Sequence, residues 1–278
     1  MKILVVGDCH GVKPDIEQEG EEADLILATG DICGDADEMR EAMFKSIESE
    51  KNWYDLIGRE KTKKLVNKSI EEGDEVLKYL NSFDKPVFLV PGNWDWIGDE
   101  EDWNFLSQNY FQELIDKYSN IQNINCERIQ DSEFTYIGYG PCSGPEVPQY
   151  EDDRPGKEEM EDLRKEYKDK LRELRSIFDE AEKPVIFLSH NTPNQTKLDQ
   201  IRNPNSPADG RHYGSLVVKN LIEEKTPLLS IAGHIHEGYG RENVSGTEAI
   251  NAGLESHVLI ELSQVKIKDV VFNPSLQG

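Results

Sequence analysis

Five apolar runs in this chain each stop on a residue that can bind a metal ion, and that repetition limits the possible folds more than any other feature. KILVVGDCHG carries Asp8 and His10, DLILATGDICG carries Asp31, and KPVFLVPGNWD carries Asn93. KPVIFLSHN carries His190, and PLLSIAGHIH carries His234 and His236. Short apolar runs bounded by Gly or Pro are how strands buried on both faces read in a sequence. FTYIGYG and TEAINAG continue the series, and SHVLIELS followed closely by VKIKDVVF predicts a closing hairpin. Helical or polar stretches separate the runs, the alternation of an α/β protein, in which chemistry sits at the carboxyl ends of strands.

Two segments fall outside that rhythm. Residues 36–83 are charged and mostly helical in pattern, with Met39, Met43 and Ile47 four apart and Leu65, Val76 and Leu80 further on. Residues 157–182 predict the clearest helix, because Met160, Leu163, Tyr167, Leu171, Leu174, Phe178 and Ala181 recur three or four apart among charged residues. Both segments are expected to be helical insertions, and the apolar face of the second is expected to pack on the sheet rather than form a dimerisation or cap element. The Gly/Pro-rich stretch 140–156, GPCSGPEVPQYEDDRPG, predicts a long surface loop. No repeat and no linker separates the cassettes, so 1–278 is expected to be one domain.

Composition narrows the partners. The formal net charge of −24 argues against a general nucleic-acid binder, which needs clustered Lys and Arg to displace counterions. It argues equally against binding to anionic membrane, and it serves solubility, including in a salt-rich cytoplasm where such charge is screened. No apolar run is long enough to span a bilayer, and MKILVVGD goes straight into a strand without the features of a signal peptide. Cys9, Cys33, Cys126 and Cys142 lie far apart with no C-x-x-C pair, which favours reduced thiols in the cytoplasm.

The ligand types are informative as a set. Mixed carboxylate, imidazole and amide oxygen suit borderline divalent ions such as Mn, Fe, Zn or Co, rather than Ca alone or a soft thiolate site. Asp8 and His10 are two apart at a strand end, so both can face one side, and His234 and His236 repeat that spacing. Any one of these residues alone is an ordinary surface or turn residue. Four of the six histidines falling at strand ends beside glycine is a different matter.

The ordered set GDCHG, GDICG, GNWD, SHN and GHIH resembles the calcineurin-like metallophosphoesterase superfamily. The stretches HYGS, LLSIAGHIHEGYG and AINAG resemble in particular its predicted phosphoesterases related to cyclic-nucleotide phosphodiesterases. The resemblance implies a four-layer α/β/β/α sandwich with the site at the strand ends. It implies one metal on Asp8, His10, Asp31 and His236, and a second on Asp31, Asn93, His190 and His234, with Asp31 bridging. It further implies a metal-bridging hydroxide attacking phosphorus in line with the leaving oxygen. Such a site stays locally positive within a very acidic protein and can attract phosphate. Arg211, Arg241 and Lys197 are candidate additional phosphate contacts.

The sequence departs from the family pattern at one position. Many members read Gly-Asn-His-Asp or Gly-Asn-His-Glu in the third cassette, where the His can protonate the leaving oxygen; here that position is Trp94. Indole cannot donate a titratable proton near neutral pH, and losing general-acid help typically costs about 100- to 10,000-fold. Asp95 then has no imidazole to orient. Three readings follow. His212 can replace the missing acid; Trp94 and Trp96 can form an aromatic wall for a nucleobase or aryl group; or the protein binds metal without catalysis and serves as an interaction module.

The expectation is a cytoplasmic hydrolase of small phosphoesters, nucleotides among them, using two divalent ions, with Mn favoured over Fe, Zn, Co or Ni. A phosphodiesterase is favoured over a phosphomonoesterase. Asp31, Asn93 and His212 are the candidate catalytic residues, and Trp94, Arg211 and Arg241 the candidate substrate contacts.

Overall fold

In strand β1 (Lys2–Val6), Ile3 and Val5 point to one side and Leu4 and Val6 to the other, and all four are fully buried. Period-two alternation with both faces covered explains why this strand reads as an unbroken apolar run. The structure, a computed structural model, describes residues 1–47, 49, 51–99, 102–204 and 206–274. The helices are α1 (Glu17–Glu22), α2 (Asp37–Ile47), α3 (Trp53–Ile57), α4 (Arg59–Asn81), α5 (Tyr110–Ile115), α6 (Lys157–Asp179) and α7 (Leu216–Lys225). The remaining strands are β2 (Leu25–Ala28), β3 (Val87–Leu89), β4 (Ile121–Asn123), β5 (Arg128–Gln130), β6 (Thr135–Tyr139), β7 (Val185–Ser189), β8 (Leu229–Ala232), β9 (Gly240–Val244), β10 (Thr247–Asn251), β11 (His257–Ser263) and β12 (Lys266–Asn273).

These strands build two six-stranded sheets, ordered β12-β11-β1-β2-β3-β4 and β5-β6-β7-β8-β10-β9. The central strands pair in parallel, and β5, β9, β11 and β12 add antiparallel edges. The sheets face each other across one core that joins Ile3, Val5, Leu25 and Leu27 to Ile186, Leu188, Leu229 and Ile231. On the outer face of the first sheet, α4 and α5 bury Val76, Leu77, Leu80, Phe111 and Leu114. On the outer face of the second, α6 and α7 bury Leu171, Leu174, Phe178, Val218 and Leu221. Four layers result, α/β/β/α, and the expected C-terminal hairpin is present as β11–β12.

The segments expected to be insertions play a different part. Parallel neighbours need a crossover, and α4 lies between β2 and β3 while α6 lies between β6 and β7. Both helices therefore belong to the outer layers. Among the described residues, α2 and α3 stand apart, their Met39, Ala42, Trp53 and Tyr54 gathered in a separate cluster with Val66 of α4 and Leu106. The side chain of Ile47 lies outside the described residues. In α6 the expected apolar stripe buries Met160, Leu171, Leu174 and Phe178, and Ala181 falls just beyond the helix. The four cysteines are free thiols. Among the described residues no helix is long and apolar enough to cross a membrane.

Candidate metal centre

The loops leaving β1, β2 and β3 in one sheet and β7 and β8 in the other bring their side chains together in two groups. Asp8, His10 and His236 form one, and Asp31, His190 and His234 the other, each with its donor atoms within 4.8 Å of one another. Three of these ligands hold left-handed backbone, His10 at φ 46°, Asp31 at φ 50° and His234 at φ 66°. For non-glycine residues that is unfavourable by about 1–3 kcal/mol each, and it persists only where surroundings enforce it. Here they do: His10 N–H donates to the Asp31 carbonyl at 2.8 Å, and His234 N–H donates to Asp8 Oδ2 at 2.6 Å. Gly233 is required by close approach, because a Cβ there would collide with Asp8 Oδ1.

In the first group, His10 Nε2 and His236 Nε2 face each other at 3.4 Å, and His236 Nε2 lies 3.4 Å from Asp8 Oδ2. Asp8 is fully buried and its Oδ1 accepts from Thr29 Oγ1 at 3.0 Å. In the second, His190 Nδ1 donates to the Thr29 carbonyl at 2.9 Å, which leaves Nε2 as the lone-pair nitrogen, 2.9 Å from Asn93 Oδ1. His234 Nε2 donates to the Ser143 carbonyl at 3.1 Å, which leaves Nδ1 for an ion. Hydrogen bonds of this kind to the far ring nitrogen are how metal-binding histidines are oriented. Asp31 Oδ2 stands between the groups, 3.7 Å from His10 Nε2 and 3.5 Å from His190 Nε2.

The charge states fit the same picture. Burial pushes His10 down to about 4, and burial with the neighbouring His190 pushes His234 down to about 3, so both rings are neutral at pH 7 with lone pairs available. Burial also opposes charge on His236, but the Asp8 carboxylate outweighs it and raises the group. At Asp8 burial favours the neutral acid, yet the hydrogen bond from His236 and the nearby imidazoles carry it below its usual range. Burial and the charges of Asp8 and Asp95 hold Asp31 well above the usual carboxylate range. Two ring nitrogens facing at 3.4 Å and a buried carboxylate that resists ionisation are the marks of a site that divalent cations would relieve. The residues present therefore fit two divalent ions.

Asp95 has a different job from the one its sequence position suggests. Its Oδ1 accepts from the N–H of Ile32 at 2.9 Å and of Cys33 at 3.0 Å, and its Oδ2 from Gly92 N–H at 2.8 Å. The buried carboxylate stitches the loop carrying Asp31 to the loop carrying Asn93, and its oxygens are committed to backbone donors.

A cleft of about 520 Å³ opens over both groups. Its floor includes His10, Asp31, Asn93, His234 and His236, and its walls are Asp35, Arg40, Met43 and Phe44 with Trp94 and Ser143. Asp35 Oδ2 approaches His10 Nδ1 at 3.3 Å without hydrogen-bond geometry, so Nδ1 has no hydrogen-bond partner among the described residues. Arg40 reaches the same Asp35 Oδ2 at 3.3 Å. Ser143 belongs to the 140–156 stretch, which is more than a surface loop. Its Glu146 accepts from Ser215 Oγ and from the N–H groups of Leu216 and Val217 at the start of α7, pinning the segment that supports His234.

Five candidate residues from the sequence lie elsewhere. His212 does not line the cleft: its Nδ1 is bonded to the buried Asp199 Oδ1 at 2.7 Å and its N–H to Tyr150. Arg211 does not either, being paired with Asp152 and Asp153 and stacked over Tyr150. Arg241 lies on the edge strand β9 and pairs with Glu248, and Lys197 is likewise absent from the lining. Trp96 is not part of an aromatic wall, since its indole N–H donates to Ser69 Oγ at 2.9 Å inside the helical cluster. Trp94 does line the cleft. Asp35, Arg40, Phe44 and Ser143 are not singled out by the sequence, and Met43 stands out there only for its helical spacing. For α2 the available signal was Phe44, an aromatic residue beside the Met39/Met43 stripe.

Comparison with known proteins decides the family. The sequence model of the calcineurin-like phosphoesterase domain matches residues 1–238. The chain belongs to the calcineurin-like phosphoesterase family. Membership makes it a phosphoester hydrolase of a class generally dependent on two metals, in keeping with its two donor groups. No curated protein matches the chain. One solved crystal structure is similar in fold with a TM-score of 0.68 at 18% identity, covering 98% of each chain. The crystal structure of TT1561 of Thermus thermophilus is similar with a TM-score of 0.50 at 16% identity, covering 96% of each chain. At those identities the likeness concerns the fold alone.

Proposed function

We propose that this calcineurin-like phosphoesterase is a dinuclear, Mn-favouring phosphodiesterase acting on small phosphoesters, nucleotides among them, in the cytoplasm. The observation that carries the reading is the position of Asp31 Oδ2 between His10 Nε2 and His190 Nε2. Two divalent ions held by these groups would lower the pKa of a water and clamp phosphoryl oxygens. The unit concerned is the whole of 1–278, since β11 beyond the family match pairs directly with β1.

The protein's own residues do the rest. Asn93 is exposed on the cleft floor with its Oδ1 turned to His190, so its amide N–H₂ is the group that meets a phosphoryl oxygen. Trp94 supplies an apolar face and no proton. Among the described residues lining the cleft, the imidazoles all belong to the two metal-binding groups. The departing oxygen therefore leaves with the electron pair of the P–O bond and takes its proton from solvent. That favours an ester whose leaving oxygen is stabilised by its own substituent over an alkyl ester needing protonation, and the preference for a diester follows the resemblance to the phosphodiesterase-related members of the family. The acidic surface argues against long nucleic acids as substrates.

The test compares bis(4-nitrophenyl) phosphate with 4-nitrophenyl phosphate on protein loaded with Mn, Fe, Zn, Co or Ni. Faster diester cleavage is expected. A large monoester preference overturns the diester assignment, and no cleavage with any metal favours a non-catalytic interaction module.

A further inference from the structure

Helix α2 is anchored through one face and presents another to the metal cleft. Met39 and Ala42 are buried in the aromatic cluster with Trp53 and Tyr54. Arg40, Met43 and Phe44, spaced i, i+3 and i+4, line the cleft. Phe44 is 72% exposed, the most exposed of the large apolar side chains among the described residues. Trp94 completes this wall at the position beside Asn93. An apolar, partly aromatic surface thus stands against two groups of buried carboxylates and imidazoles. An ordinary hydrophobic patch would have no such continuity with a phosphoryl site.

We infer that Met43, Phe44 and Trp94 form a subsite for an aromatic ring carried on the leaving oxygen of the phosphoester. The inference rests on the phosphodiesterase reading above. Two separate observations support it. Aromatic side chains bind flat rings through stacking and edge contacts that a saturated chain does not match. An oxygen attached to an aromatic ring also leaves readily without an acid, and among the described residues lining the cleft no imidazole lies outside the metal groups. In the reaction the P–O bond to the ring breaks with its electron pair going to the aryl oxygen. The oxygen of water replaces it on phosphorus, and one proton passes to solvent. A volume of about 520 Å³ lies within the usual range for a small-molecule site, so the ester is a small molecule.

The test uses the full chain loaded with Mn and three uncleavable probes, phenylphosphonate, methylphosphonate and dodecylphosphonate, titrated calorimetrically. Phenylphosphonate is expected to bind at least about ten-fold more tightly than methylphosphonate. Phe44→Ala should reduce that ratio several-fold, Phe44→Tyr should preserve it, and the distant surface change Val271→Ala should leave it unaltered. Equal binding of the phenyl and methyl probes overturns the subsite, and so does dodecylphosphonate binding as tightly as phenylphosphonate. Turnover of bis(4-nitrophenyl) phosphate is measured in parallel to separate the two ideas. Turnover without a ring preference defeats the subsite alone, whereas a ring preference without turnover defeats the phosphodiesterase reading alone.

Discussion

The backbone N–H of Trp94 donates to Asp31 Oδ1 at 2.7 Å, so the residue that replaces the family's imidazole also holds the carboxylate that lies between His10 and His190. Only the side chain differs from the family pattern; the backbone contribution is independent of it. Trp94→His should therefore leave metal content unchanged while placing a proton donor beside the leaving oxygen. General-acid help ranges over about 100- to 10,000-fold. The gain on alkyl-leaving esters should fall near the lower end, because Asp95 is committed to backbone donors and cannot orient the new ring. Steady-state rates on methyl and aryl phosphodiesters, with pH profiles, check this. A new limb should appear in the pH profile of the variant. An unchanged alkyl rate would show that protonation of the leaving oxygen is not what the cleft lacks.

Metal content is the second expectation. Asp31 Oδ2 lies 3.7 Å from His10 Nε2 and 3.5 Å from His190 Nε2, so on the proposed bridging role Asp31→Asn should reduce bound metal to well under one ion per chain, whereas His10→Ala should leave the second group occupied. Elemental analysis after desalting reads the difference. Free metal at about 100 times its Kd should add about 2.7 kcal/mol of stability per site, visible as a rise in Tm that chelation reverses. Retention of two ions by Asp31→Asn would overturn the bridging geometry.

Glu146 provides a third. Its carboxylate ties the 140s segment to α7, and that segment's Ser143 carbonyl orients His234. Glu146→Ala should weaken metal binding at the group containing His234 by about 10- to 100-fold, the usual effect of losing an outer support of a ligand. Metal titration of the purified variant measures it. Unchanged affinity would mean that Ser143 is held in place without Glu146.

The fourth concerns pH and lies away from the cleft. Burial favours the neutral form of Asp131, but N–H groups of Phe134 and Glu133 and the Tyr136 hydroxyl outweigh it and hold the carboxyl below its usual range. A carboxylate depressed on folding contributes stability above its unfolded pKa, and the contribution is lost as pH falls through the folded value. Asp131→Asn should thus destabilise the protein at pH 7 by about 1 kcal/mol or less, since the group is exposed. The difference between the two proteins should shrink below about pH 4. Urea unfolding at both pH values decides it, and a difference that grows on acidification would reverse the sign.

Much of the fold was legible because β1, β2, β3, β7 and β8 are buried on both faces, and double burial leaves an unbroken apolar run. The strands not singled out from the sequence were β4, β5 and β9. The first two have three residues each, and β9 is a polar edge strand with Arg241 and Asn243 exposed, so periodicity had little to register. Helices α4 and α6 were legible as helices but not as crossovers, because connectivity depends on which strands become neighbours. His212 looked available because a sequence does not show that Asp199, thirteen residues earlier, has already engaged it.

The sequence by itself determined the inventory of candidate ligands and the absence of an imidazole at position 94, because these depend on which residues follow each strand. Tertiary structure alone decided which atoms meet. It placed Asp31 Oδ2 between two imidazoles, made Asp95, which has no ring to orient, a clamp between loops, and carried α2 over the cleft. The physical reason is distance: hydrogen bonds, ion sharing and shape act over a few ångströms, between residues that lie far apart along the chain.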